Sequence, residues 1–307
     1  MAGGDEATIA ATPRTAHGRG ALMPSWGPVA AVTAAYLLLF GSTLRALLVD
    51  DWLHNGEYGH GLLLLPVAAY LAWTHHTRRA DPEPARGLLL LAVAVLLFWV
   101  SSMAAEFFTV RVSALLALSG LTVFYRGRSQ LRAWWLPFAL MVFTIPLPEV
   151  VLGSLTLPLQ LLASRIAVAM LDFRHIPVGL AGNIIILPGH ELFVAEACSG
   201  LRSLSALFGM SLLIAGTSLH RSWSRIALLA VAIPAALAAN ALRVFVTGYL
   251  VYYFGPDAAE GMAHASAGII VFLVALGGVA LAMLGLRKLE RRPSRGAGAT
   301  VLGGEAA

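Results

Sequence analysis

GLLLLAVAVLLFWVSSMAA, residues 87–105, runs without a single charged side chain. At 1.5 Å of rise per residue it reaches roughly 28 Å as a helix, close to the ~30 Å of a bilayer's hydrocarbon. Stretches of this kind recur. They predict eight transmembrane segments, at about 26–48, 60–74, 87–105, 107–125, 133–152, 199–218, 225–253 and 263–286. The composition agrees: of 307 residues 58% are hydrophobic and 12% charged, with a mean hydropathy of +0.78. A soluble domain carries about a quarter charged residues. The predicted fold class is all-α, a polytopic membrane bundle, with residues 26–286 as its transmembrane domain. Residues 1–25 read as a disordered cytoplasmic tail and 287–307 as a basic cytoplasmic tail.

The arginines orient this bundle. Arg14 and Arg19, Arg78, Arg79 and Arg86, Arg126, Arg128 and Arg132, Arg221 and Arg225, and the tail from Arg287 to Arg295 fall on one side. Asp50, Asp51, Glu57, Glu106, Glu149, Asp257 and Glu260 fall on the other. The positive-inside rule then puts both termini in the cytoplasm, with an even number of spans. The net charge of +5 is explained by these short loops, and no basic patch for nucleic acid is expected. Six arginines remain within spans or on the outer side: Arg45, Arg111, Arg165, Arg174, Arg202 and Arg243. A charge inside a span is costly and needs a reason.

The longest outer segment covers about 153–198. Leu155 to Phe173 has helical spacing and is expected to lie in the outer interface plane. After it, Gly and Pro break any helix, and the β-branched run Ile184–Ile186 prefers extended backbone. A short β-hairpin is therefore expected before the sixth span.

Three constellations carry chemistry. Glu196-Ala-Cys198-Ser199-Gly200-Leu-Arg202-Ser directly precedes the sixth span, so Cys198, the single cysteine, stands at or just before a helix N-terminus. The partial positive charge there stabilises a thiolate. A free cysteine is also a common packing residue, but here polar and charged neighbours surround it at a membrane boundary. Asn240 and Arg243 lie three apart in the seventh span and share a helix face. His264 opens the eighth span on the same outer side as Cys198, and its side chain suits general acid–base work near neutral pH. A cysteine nucleophile, a histidine to move its proton and an arginine to meet developing negative charge make a coherent set. No Gly-x-Ser-x-Gly, His-Glu-x-x-His or Gly-x-x-x-x-Gly-Lys pattern competes. His75 and His76 lack nearby partners for zinc, so neither metal nor cofactor is expected. A fourth cluster, Trp52, Tyr58, His60 and Pro66, reads more simply as an interfacial aromatic belt, with His60 near the outer site.

In this order the residues resemble the exosortase/archaeosortase family, over about Asp51 to Leu286. The likeness rests on Tyr58-x-His60-Gly61 with Pro66, the Leu187-Pro-Gly turn, the Cys198 motif, Asn240-x-Leu-Arg243 and Gly261-x-x-His264 before Gly268. Gly59 departs from the family's more usual Ser, which bears on the part played by His60. The resemblance implies a thiol protease or transpeptidase of the bacterial inner membrane, with its active site at the periplasmic face. It would recognise PEP-CTERM-like C-terminal sorting signals of exported proteins and pass them to an unidentified acceptor nucleophile, often in connection with exopolysaccharide production. It also implies Cys198, Arg243 and His264 as catalytic, with Glu196, Ser199, Gly200, Arg202, Asn240 and His60 in support. The rival expectation is a non-enzymatic transporter or a membrane scaffold for a polysaccharide complex, in which Cys198 is dispensable.

Overall fold

Prolines and capping residues decide where the helices stop. The computed structural model describes residues 26–54, 58–194, 201–259 and 261–291. The chain divides into two units, 1–41 and 42–307. Helix α1, Trp26–Ala46, passes into π-helical turns over Leu47–His54. Helices α2 (Gly61–Thr74), α3 (Pro84–Met103) and α4 (Phe107–Arg126) follow. Pro84 at the start of α3 forfeits only a hydrogen bond that a first turn does not make. Glu106 caps α4 by accepting from Thr109 N at 2.6 Å and Phe108 N at 3.2 Å. These bonds, from Thr109 first, hold its carboxyl below the ordinary carboxylate range.

The expected span over 133–152 is not one helix. It is resolved into α5 (Arg128–Ala133), α6 (Trp135–Val142), a turn over 143–148, and the start of α7 (Glu149–Phe173). Pro146 and Pro148 are the cause, since each lacks an N–H and pushes the residue before it toward extended backbone. Pro148 itself is extended, at φ −57° and ψ 141°. The stretch from Leu155, expected in the interface plane, is thus the larger part of a 25-residue helix whose Val150–Phe173 portion is long and apolar enough to cross a membrane.

The remaining elements are β1 (Gly179–Ala181), β2 (Ile184–Leu187), β3 (His190–Phe193), α8 (Leu201–Ser218), α9 (Ser222–Phe254), a 3₁₀ turn over Pro256–Ala259, and α10 (Gly261–Arg291). Among the described residues six helices can span a bilayer by length and composition, and Gly61–Thr74 and Leu204–Ser218 are shorter apolar helices. The protein is a multi-pass, all-α membrane bundle, and the expected count of about eight is approximate. The expected hairpin is a three-stranded antiparallel sheet in the order β1-β2-β3. Pro188-Gly189 turns β2 into β3, and Gly189 takes the left-handed φ of 78° that the turn requires.

Helix α8 is the hub. Leu212 packs with Leu64, Ala68 and Leu71 of α2 and Leu136 and Leu140 of α6. Leu207, Ala215 and Leu219 pack with Leu228, Ala232 and Ala236 of α9 and Val279 of α10. The small side chains on α9 let backbones approach closely, which is where helix association in lipid finds much of its energy. The sheet sets Ile185 and Leu187 against Ala163, Ala167 and Leu171 of α7 and Val244 and Val251 of α9.

Candidate active site

The helices that carry Arg202, Arg243 and His264 are α8, α9 and α10, and these three form one packed group. Asn240 is buried on α9, 4% exposed. One turn on, the Arg243 guanidinium lies directly against the backbone of α10 at Gly268. A Cβ at that position would come within 3.3 Å of Arg243 Cζ and Nε and 3.5 Å of Nη2. A side chain at 268 would press on the guanidinium, which would have to yield by a few tenths of an ångström. Gly268 follows His264 by one helical turn, so Arg243 meets α10 on the face to which His264 belongs.

Glu196, Cys198, Ser199 and Gly200 lie outside the described residues. Arg202 and His264 are placed on their helices, and their side chains are also outside the description. What leads into the cysteine motif is well defined. Val194, 2% exposed, donates its N–H to Asn183 O at 3.0 Å, and its own carbonyl accepts from Asn183 Nδ2 at 3.4 Å. The same Nδ2 donates to Gln160 Oε1 on α7 at 3.1 Å. Gln160 and Asn183 were not among the candidate site residues expected from the sequence. A polar pair amid apolar residues was the signal available.

The fourth cluster is no interfacial belt. Trp52 and Tyr58 are 5% and 6% exposed. Trp52 rests on Gly61 and donates Nε1–H to Thr144 O at 2.9 Å. The Tyr58 hydroxyl accepts from Leu147 N at 3.3 Å, and His60 Nε2 lies 3.2 Å from Phe143 O. Together the three side chains grip the α6–α7 turn, whose prolines leave carbonyls without helical partners. That turn also walls an apolar cavity of about 370 Å³, bounded by Tyr58, Phe143 and Leu147 on one side and Leu204, Ser205 and Phe208 of α8 on the other.

Arg111, one of the six unexplained arginines, is paired with Asp51 at 2.5 Å. Arg45, Arg165 and Arg174 are exposed. Among the described residues no group of three or more His, Cys, Asp or Glu is arranged to hold a metal.

The fold is that of a polytopic membrane protein in which α8, α9 and α10 pack together and the Arg243 guanidinium lies against α10. The sequence model of the family described as "Transmembrane exosortase" matches residues 52–281. The chain belongs to the transmembrane exosortase family. No curated protein and no solved structure matches it.

Proposed function

We propose that this exosortase is a cysteine transpeptidase that cleaves C-terminal sorting signals of exported proteins at the outer face of a bacterial inner membrane. The observation that carries the reading is the seating of Arg243 against Gly268, one turn from His264 on a packed neighbouring helix. The Cys198 thiolate attacks the scissile carbonyl carbon, and Arg243 meets the negative charge that gathers on its oxygen. The C–N bond then breaks, His264 gives its proton to the departing amine, and a thioester to Cys198 remains. An acceptor nucleophile loses its proton to His264 and displaces the thiolate. A signal with an apolar helix and a basic cytoplasmic end has the same positive-inside orientation as the enzyme, so its cleavage motif arrives at the outer ends of the spans. An apolar cavity beside the first turns of α8 agrees with an apolar substrate. Coexpression with a candidate substrate tests the reading. Cys198→Ala should abolish processing, and unchanged processing would exclude the enzyme in favour of a transporter or scaffold.

A further inference from the structure

We propose that Asn183 and Gln160 are positioning residues that set the register in which the chain leaves β3 toward Cys198; this rests on the cysteine-enzyme reading above. The strands are short, with three residues in β1 and four each in β2 and β3. The buried face of β2, Ile185 and Leu187, fixes the register within the sheet, because a slip of one residue would turn every side chain to the opposite face. What it does not fix is the step beyond the last pair. The β2–β3 ladder pairs Ile184 with Phe193. Asn183 extends it by one step, donating its side-chain amide to Val194 O and accepting from Val194 N through its own carbonyl.

Gln160 fixes Asn183 in turn. It is 5% exposed on α7, with Ser164 Oγ donating to its carbonyl at 2.8 Å, and its Oε1 receives the Asn183 amide. Replacing such a pair with apolar groups of equal shape is often nearly neutral for stability. What the pair adds is direction. Cys198 follows Val194 by four residues, a reach of at most about 14 Å, so Val194 is the last described anchor before the thiol. Misplacement by about 1 Å can cost 100-fold in rate.

The single cysteine makes a clean test, because thiol alkylation of the full-length protein in membranes reports Cys198 alone. Asn183→Ala and Gln160→Leu should each lower kcat for signal cleavage by about 10–100-fold with little change in KM. The double variant should be no worse than the poorer single one, because both act through one bond. The pH midpoint of iodoacetamide alkylation should move up in each variant, toward the ~8.5 of a free thiol. A simple loss of stability lowers the amount of folded protein and leaves that midpoint where it was. Wild-type kcat and alkylation curves in both single variants would overturn the proposal, as would losses that multiply in the double variant with an unmoved midpoint. If Cys198→Ala still processes substrate, the enzyme reading fails instead, and the alkylation midpoints still judge the network by themselves.

Discussion

Two arginines stand in apolar helices, Arg111 in α4 and Arg243 in α9, and the fold treats them differently. Arg111 meets a carboxylate: its Nη2 lies 2.5 Å from Asp51 Oδ2, and the two side chains are 13% and 14% exposed. Arg243 lays its guanidinium against a neighbouring helix, at the backbone of Gly268. A carboxylate neutralises its arginine in place, which suits a structural tie. A glycine makes room for the guanidinium beside a neighbouring helix, one turn from His264. The first arrangement explains why Arg111 is tolerated in a span. The second makes Arg243 the better candidate for chemistry.

The sharpest way to break this distinction is Arg243→Lys, which keeps the charge and loses the planar fork. Processing kinetics should show kcat reduced by about 100–1000-fold, the range expected for removing a group that stabilises an oxyanion. A lysine variant with wild-type turnover would reduce Arg243 to a generic cation. Arg111 should behave in the opposite manner. Arg111→Met leaves Asp51 unpaired and should cost about 3 kcal/mol in denaturant unfolding, while adding Asp51→Leu should restore most of that loss. Turnover per folded molecule should hold in both. If Arg111→Met slows turnover as much as Arg243→Lys does, the two arginines are not different in kind.

Gly268→Ala is a finer probe. The new methyl group would stand 3.3 Å from Cζ and Nε, and the guanidinium end, being flexible, can yield by a few tenths of an ångström. A kcat reduced by about 10-fold is expected from that displacement. Gly277→Ala on the same helix is the control, because a Cβ there meets nothing within 4 Å. Equal effects at 268 and 277 would mean that helix propensity, and not the guanidinium seat, is being measured.

Much of this was legible in the sequence, and what was hidden is of one kind. Apolar runs announced α3, α4, α9 and α10, because lipid demands length and uninterrupted hydropathy. The break between α6 and α7 was hidden by those same runs, since Pro146 and Pro148 end a helix without lowering hydropathy. Trp52 and Tyr58 have the composition of an interfacial belt, and only their partners on the 143–147 turn distinguish a buried grip from it. His60 points the same way, toward Phe143 O. Motif order singled out Arg243 and His264 as candidates, but the seat of Arg243 at Gly268 is a tertiary contact that no periodicity encodes. The Asn183–Gln160 bond spans 23 residues and two kinds of element, and was invisible for that reason.

The smallest expected effect sharpens the comparison from outside the membrane. Glu83, like Asp51, meets arginine, but in a loop exposed to water. It accepts from Arg86 Nη1, from Arg128 N at 3.2 Å and from Arg128 Nε at 3.0–3.2 Å, tying the start of α3 to the α4–α5 junction. These bonds, the Arg86 one first, pull its carboxyl down to about 2. In the unfolded chain it titrates near ~4.3. Above that value both states are ionised and the tie contributes in full. Between ~4.3 and about 2 the unfolded chain binds a proton that the folded one does not, so stability falls as pH falls. Glu83→Gln removes this dependence, and solvent screening keeps its size small. Thermal unfolding of the detergent-solubilised protein should therefore show a steeper decline in Tm between about pH 5 and pH 3 for the wild type than for Glu83→Gln. Parallel declines would mean that the exposed clasp, unlike the Asp51–Arg111 pair, contributes nothing to the fold.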